Sequence, residues 1–279
     1  MNKQILAFSH AVKTGGITFS SILRNNFRFS YCHATQLYPN NNTKIFDSYL
    51  SPRDFNAYLH MYPKIRCFAG HLVRATPEVC EKHPQINFIT FLRRPISRYF
   101  STFQWILKEK GLNRKELEEC IINSSNQWHR SNYLSLFLSE TDNAHNAIKY
   151  IKQHFLFVGI LERFDESLIV LRTLLNGDID CRYERRNVSK VNSNEEYLTK
   201  KTVDYIKAKN ESDIMLYNYF NQQLTIKIKE LGIDIDAELA ILKDKREGFK
   251  FSRSKLCGYR VGSWLREKVF LSFPHKILL

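Results

Sequence analysis

Short apolar runs alternate with amphipathic stretches along the first two thirds of the chain. The runs are rich in β-branched and aromatic residues, as in strands that are buried on both faces. The stretches between them repeat apolar residues at three- and four-residue spacing, which is typical of helices that pack on a sheet. We predict strands at residues 3–8, 65–69, 86–92 and 155–160.

Helix signals follow these predicted strands. Apolar residues at helical spacing begin at Ile17, and Thr76-Pro77-Glu78 combines an N-cap, a first-turn proline and an early acid. Further helices are predicted at 95–110 and 164–175, and residues 194–245 are predicted to form a helical C-terminal portion. The alternation predicts an α/β fold with a parallel sheet flanked by helices on both faces. Ligands of such folds bind beyond the carboxyl ends of the strands.

The chain is strongly basic. Its 279 residues include 42 Lys and Arg against 28 Asp and Glu, a net charge of +14, which favours an anionic partner. Half of this excess lies in residues 241–279, where 10 basic residues face 3 acidic ones. We therefore divide the chain into a domain at 1–240 and a basic C-terminal extension at 241–279. The extension either packs on the domain or contacts a membrane surface.

Residues 10–18, directly after the first strand, combine two glycines with a lysine. Glycines at 15 and 16 let successive N–H groups point into one concavity, and the following helix adds the positive end of its dipole. Lys13 adds a full charge, so the loop suits a phosphate. The GxxxxGK[ST] pattern of magnesium-dependent NTPases is absent, because Ala7 and Val12 stand where it needs glycine.

A second basic motif follows the strand at 86–92. Arg93 stands at the strand end and Ser101 lies about two turns inside the helix that Pro95 begins. The Arg93 side chain can therefore share an anion with the Ser101 hydroxyl. Plain structural interpretations also exist for two residues of this motif. Arg98, which lies between Arg93 and Ser101, could be only a surface ion-pair partner, and Ser101 only a small packing residue.

Together the two motifs resemble those of sulfotransferases that use 3′-phosphoadenosine 5′-phosphosulfate (PAPS). The chain reads HAVKTGGIT and RRPISRYFS where the heparan sulfate 2-O-sulfotransferase branch reads roughly HxPKTGGT[ST] and R[DN]PxxRxxS. Val12, Ile17 and Arg94 depart from that pattern, and Ile17 replaces a threonine whose hydroxyl normally helps to hold phosphate. Further agreement comes from Gly70-His71, Asn126 with Tyr133-Leu134, Val158–Phe164 and Asn187–Lys190.

The resemblance implies a P-loop-like sulfotransferase domain and assigns roles residue by residue. His71 is implied as the general base, with His10 and His33 as rivals, and Lys13 as the cation at the transferred group. The acceptor is expected to be a glycan or glycolipid, with Arg74 and Arg130 as candidate contacts that are equally readable as solvated charges. No metal is expected. The implied cofactor-binding residues are Lys13, Thr14, Gly15, Gly16, Ile17, Thr18, Arg93, Ser101, Arg186 and Lys190.

Two other functional classes remain open from the residues alone. A nucleic-acid-binding module would use the positive charge, although RNP, zinc-finger and helix-turn-helix signatures are lacking, and we expect no nucleic-acid partner. A peripheral membrane protein would use the basic tail. Because the N-terminus lacks the apolar core of a signal peptide, we expect a cytoplasmic protein, with or without peripheral contact at the inner membrane surface. The animal enzymes that the chain resembles carry an N-terminal membrane anchor, whereas the first predicted strand here begins by Lys3, so we expect an enzyme of bacterial type.

Overall fold

Five parallel strands form one sheet in the computed structural model, which describes residues 4–37, 48–111, 113–123, 131–184 and 198–251. The predicted α/β fold with a parallel sheet is thereby confirmed. The three-residue β2 was not predicted, because so short a run has no periodicity. The strands are β1 (Ile5–Ser9), β2 (Tyr31–His33), β3 (Cys67–Gly70), β4 (Ile86–Leu92) and β5 (Phe155–Ile160), in the order β2-β3-β1-β4-β5.

Local sequence signals account for several helix boundaries. Ser51 and Asp54 form a capping box around Pro52, and the Thr76 side chain accepts a hydrogen bond from the Val79 N–H at the predicted helix start. The helices are α1 (Gly16–Phe27), α2 (Pro52–Met61), α3 (Pro77–Lys82), α4 (Pro95–Lys110), α5 (Arg114–Asn123), α6 (Tyr133–Ser139), α7 (Ala144–His154), α8 (Phe164–Leu174), α9 (Lys200–Lys209), α10 (Glu211–Glu230) and α11 (Ile235–Arg246).

The central strand β1 is buried on both faces. Leu6 and Phe8 belong to one apolar cluster, while Ile5 and Ala7 belong to another on the opposite face. Successive side chains of a strand point to opposite sides, so an all-apolar strand requires helices on both faces. This explains why the pattern is continuous rather than alternating.

The register of the sheet aligns the carboxyl ends of its central strands. Ser9 at the end of β1 pairs with Gly70 at the end of β3 and with Thr90 near the end of β4. The side chain of Thr90 reinforces this edge by donating to the Ser9 carbonyl over 2.8 Å. Residues that follow these strands therefore meet at one edge, which is where the sequence motifs lie.

The last helix of the described residues, α11, joins the main core. The predicted boundary between residues 240 and 241 falls inside α11, and Leu242 and Phe251 are buried in the larger apolar cluster. Arg246 also forms an ion pair with Asp165 at 3.0 Å. Residues 252–279 lie outside the described ranges, so the division of the chain stays a prediction. None of the helices in the described residues is both long and apolar enough to cross a membrane.

Candidate active site

The loop between β1 and α1 adopts a strained backbone that opens the helix N-terminus. Lys13 has φ 66° and Gly15 has φ 82°, both in the left-handed region. Gly15 is the N-cap of α1, whose first turn has neither a side-chain cap nor an acidic residue. The first N–H groups of a helix have no acceptor within it, so this end suits an anion.

Both glycines of the loop are required by close packing. A Cβ on Gly15 would lie 2.4 Å from Leu161 Cδ1, and one on Gly16 would lie 1.8 Å from His10 Nε2. The imidazole of His10 thus occupies the space where another residue type would carry a side chain. The loop forms a cradle whose width is set by its neighbours on two sides.

Hydrogen bonds hold this cradle from behind. The Thr14 hydroxyl donates to the Ala11 carbonyl over 2.9 Å, and the Val12 N–H donates to the Tyr133 hydroxyl over 3.1 Å. Thr14 is buried, so its side chain supports the loop itself. Ile17 is 49% exposed and Thr18 is half-buried on the first turn of α1, so both lie at the mouth of the cradle.

Lys13 and Arg93 are brought together across the sheet edge. Arg93 Nη1 donates to the Lys13 carbonyl over 3.2 Å, although the two residues lie 80 positions apart. Burial first, and then the charge of Arg93, lowers the pKa of Lys13, while burial is the main cause of a lowered pKa for Arg93. Two partly buried cations, one of which is further destabilised by the charge of the other, are a favourable environment for an anion.

A carboxylate orients the loop that carries Arg93. Glu162, which follows β5, accepts a hydrogen bond from the Arg94 N–H over 2.9 Å and another from the Tyr217 hydroxyl over 3.1 Å. Its charge also raises the pKa of Arg93 against the effect of burial. Ser101 is half-buried on α4, about two turns from the helix start, as the motif predicted.

Three histidines cluster at the same edge. The rings of His10 and His71 stack with centroids 4.1 Å apart, and His71 Nδ1 lies 2.7 Å from the His10 carbonyl oxygen. A carbonyl only accepts hydrogen bonds, so Nδ1 carries the proton and Nε2 is left unprotonated in the neutral ring. The charge of His33 acts on His10 as well, so all three candidate bases are neighbours.

The environment separates the roles of these histidines. Burial, followed by the charges of His71 and His33, lowers the pKa of His10 to about 3, and its ring is packed under Gly16. Partial burial also lowers the pKa of His71, but that residue stays exposed at the sheet edge. A neutral, accessible imidazole with a free Nε2 has the properties of a general base, whereas His10 is suited to a structural role.

Of the candidate acceptor- and cofactor-binding residues outside the two motifs, the structure describes Arg74. Arg74 is 8% exposed and stacks on Phe137 with its guanidinium carbon 4.6 Å from the ring centroid, so it is not a solvated charge. Arg130, Arg186 and Lys190 lie outside the described residues.

The sequence interpretation of Arg98 as a surface ion-pair partner is wrong. This side chain is 1% exposed, because the helix α4 turns it into the core, where its guanidinium carbon lies 4.4 Å from the Tyr133 ring centroid. Two further contributions to the site were missed. The buried Asp213 had no sequence signal, and Tyr133 was noted only as part of a family-like motif that did not indicate its hydroxyl contact with the loop. The apolar periodicity around position 98 was the one available clue, since it places Arg98 on the buried face of α4.

The donor set fits a nucleotide with two anionic ends. The β1–α1 cradle offers backbone N–H groups and Lys13, and the β4–α4 loop offers the remaining guanidinium N–H groups of Arg93. Cradle and guanidinium adjoin because Arg93 contacts the Lys13 carbonyl.

Comparison with known proteins places the chain in a family. The family model for galactose-3-O-sulfotransferase matches residues 2–257, which is most of the sequence. The chain belongs to the galactose-3-O-sulfotransferase family. Galactose-3-O-sulfotransferase 3 of Bos taurus is 26% identical over 270 residues, covering 87% of this chain and 62% of the relative. The Homo sapiens protein of the same name is 25% identical, covering 87% and 61%.

The chain spans about three fifths of the length of these relatives. A sulfotransferase crystal structure from Alicyclobacillus acidocaldarius aligns with a TM-score of 0.42 at 16% identity, covering 78% of this chain and 96% of that one. Membership of the galactose-3-O-sulfotransferase family confirms the predicted resemblance to carbohydrate sulfotransferases. It does not confirm the heparan sulfate 2-O branch.

Proposed function

We propose that this chain transfers a sulfuryl group from PAPS to a hydroxyl of a glycan, with a galactose residue as the acceptor. The observation that carries the proposal is the contact between Arg93 Nη1 and the Lys13 carbonyl. This contact joins the loops after β1 and β4, both suited to an anion, at one edge of the sheet. Family membership supports the sulfotransferase chemistry, and the names of the relatives supply the galactose acceptor.

The first loop holds the phosphosulfate end of the donor. N–H groups at the start of α1 bind its oxygens, and Lys13 neutralises the charge that develops on the leaving bridging oxygen. The donor supplies an activated sulfur whose bond to that oxygen breaks as the acceptor oxygen attacks in line. Arg93 and Ser101 hold the 3′-phosphate, and Arg186 and Lys190, which lie outside the described residues, are the remaining predicted cofactor contacts.

His71 removes the proton of the acceptor hydroxyl. Its Nδ1–H is engaged by the His10 carbonyl, so the proton passes to Nε2 as the new bond between oxygen and sulfur forms. The lowered pKa of His71 keeps the ring neutral at pH 7, so the base is available without prior deprotonation. Arg74 and Arg130 are the proposed contacts to the acceptor, although Arg74 would act from a largely buried position.

Calorimetric titration with 3′-phosphoadenosine 5′-phosphate (PAP) tests the donor site. We expect the intact chain to bind PAP, and Arg93→Ala or Ser101→Ala to weaken the affinity. Arg53→Ala is the matched control, since this exposed arginine on α2 lies outside both motifs. Absence of PAP binding to the intact chain would refute the proposal.

Transfer of radiolabelled sulfate tests the base. His71→Ala should lower kcat by about 10²–10⁴ and leave PAP affinity unchanged. His60→Ala, at an exposed histidine near the end of α2, should change neither quantity. Equal losses of kcat and PAP affinity in His71→Ala would indicate a structural role instead.

An acceptor panel tests the galactose assignment. Glycans that end in galactose should accept the label at the 3-hydroxyl, and desulfated heparan sulfate should not. Labelling of heparan sulfate in preference to galactose would favour the 2-O branch. The predicted membrane contact of the basic extension at 241–279 is tested separately, by sedimentation of the intact chain and of a chain lacking residues 252–279 with anionic vesicles.

A further inference from the structure

A fully buried arginine stands directly behind the proposed donor site. Arg98 is 1% exposed, and within the described part of the chain its Nε, Nη1 and Nη2 have no hydrogen-bond partner. Burying a guanidinium in this way is costly unless a compensating interaction exists. Its contacts therefore indicate what the side chain does.

The guanidinium of Arg98 lies over the ring of Tyr133. The guanidinium carbon lies 4.4 Å from the ring centroid, within the range of a cation–π interaction, which strengthens when the cation is desolvated. The hydroxyl of the same tyrosine accepts the Val12 N–H over 3.1 Å. A single residue, Tyr133, therefore connects Arg98 with the loop that carries Lys13.

Asp213 holds the start of α6, the helix on which Tyr133 lies. It is fully buried and accepts hydrogen bonds from the N–H groups of Leu134 and Ser135 and from the Ser135 hydroxyl, each over 2.8 Å. These bonds anchor the start of α6, where Tyr133 lies. The negative charge of Asp213 acts on Arg98 and offsets part of the cost of burying the cation.

We infer that Arg98 and Tyr133 are positioning residues for the donor-binding loop. Arg98 holds the ring of Tyr133, and Asp213 holds the backbone of the next residue, Leu134. The Tyr133 hydroxyl, fixed in this way, holds the Val12 N–H, so that Lys13 keeps its left-handed conformation. The charge of Arg98 also reaches Arg93 and adds to the positive field at the nucleotide site. This inference rests on the proposed function.

Tyr133→Phe is the most sensitive test, because it removes one oxygen and leaves the ring in place. Tyr58→Phe is the matched control: Tyr58 is fully buried, and its hydroxyl accepts the Thr35 N–H over 2.9 Å and donates to the Thr35 carbonyl over 2.7 Å, in the loop after β2. We expect Tyr58→Phe to lose at least as much thermal stability as Tyr133→Phe. Only Tyr133→Phe should weaken PAP binding and raise the KM for PAPS, each by about fivefold, the effect of one hydrogen bond.

Arg98 is tested by two substitutions of similar length. Arg98→Met removes the charge and should weaken PAP binding more than Tyr133→Phe does. Arg98→Lys keeps the charge but loses the flat guanidinium, so we expect it to restore part of the affinity. If Arg98→Met does not fold, Tyr133→Phe and Arg98→Lys still decide the matter.

The outcomes distinguish this inference from the proposed function. If the wild-type chain does not bind PAP, the proposed function and this inference both fail. If the wild type binds and Tyr133→Phe binds equally well at reduced stability, only the positioning role is overturned. Equal losses of PAP affinity in Tyr133→Phe and Tyr58→Phe would likewise overturn it, because they would indicate general loosening of the fold.

Discussion

The loops that follow β1 and β4 both face the proposed nucleotide, but they are built differently. The first, at residues 10–15, relies on backbone geometry, with left-handed Lys13 and Gly15 and close packing at both glycines. The second relies on the long side chain of Arg93 and on the Glu162 carboxylate that holds its backbone.

This difference predicts how each loop tolerates change. A site made from backbone N–H groups loses affinity when the backbone changes shape, whereas a site made from side chains is weakened in steps as donors are removed.

Replacing Lys13 should have the largest effect. Lys13→Ala removes the cation at the leaving oxygen and should lower kcat by about 10²–10³, as loss of one such electrostatic contact does. Lys82→Ala, at an exposed lysine at the end of α3, should leave kcat unchanged in the same radiolabel assay. Unchanged kcat in Lys13→Ala would remove this residue from the reaction.

The first loop should also give the protein a pH-dependent stability. Burial lowers the pKa of His10 from 6.5 to about 3. Below pH 6.5, therefore, His10 is protonated in the unfolded chain but stays neutral in the folded chain. The associated stability is fully present above pH 6.5 and is lost as the pH falls toward 3. Urea unfolding at several pH values should show a steeper loss for the wild type than for His10→Gln. Parallel curves would mean that His10 is not held neutral.

Alanine substitutions at two glycines with almost the same φ distinguish the effect of backbone strain on stability from its effect on PAP binding. Gly15 has φ 82° and Gly177 has φ 81°, but only a Cβ on Gly15 meets a neighbour, at Leu161. Both alanine variants should lose about 1–2 kcal/mol of stability from the left-handed backbone. Only Gly15→Ala should also lose PAP affinity, by about tenfold, because the cradle must widen. A similar loss in Gly177→Ala would show that the effect is not local to the cradle.

The smallest expected effect is a gain in PAP affinity. Ile17 is 49% exposed at the mouth of the cradle, so Ile17→Thr places a hydroxyl there without disturbing the core. PAP affinity should rise by about three- to tenfold, as one added hydrogen bond allows. Ile17→Val, which has the shape of threonine without the hydroxyl, is the control. Equal affinity of both variants would mean that position 17 does not reach the phosphate.

The elements with strong local signals were predicted well. The continuous apolar run of β4 was predicted at its observed bounds, and so was the start of α4 at Pro95. The start of α3 followed from Thr76 and Pro77, because capping is decided by a few adjacent residues. The edge strand β2 was not predicted, since its three residues are held by pairing with β3 rather than by a pattern of their own.

The sequence by itself determined the layered α/β fold, the glycine loop and the excess of positive charge, because these depend on composition and on neighbours along the chain. Tertiary structure alone decided that Arg98 is buried, that Tyr133 holds Val12, and that His71 donates to His10. These contacts join residues up to 121 positions apart. No local pattern encodes such pairs, because they exist only once the parallel strands align their carboxyl ends and the helices pack behind them.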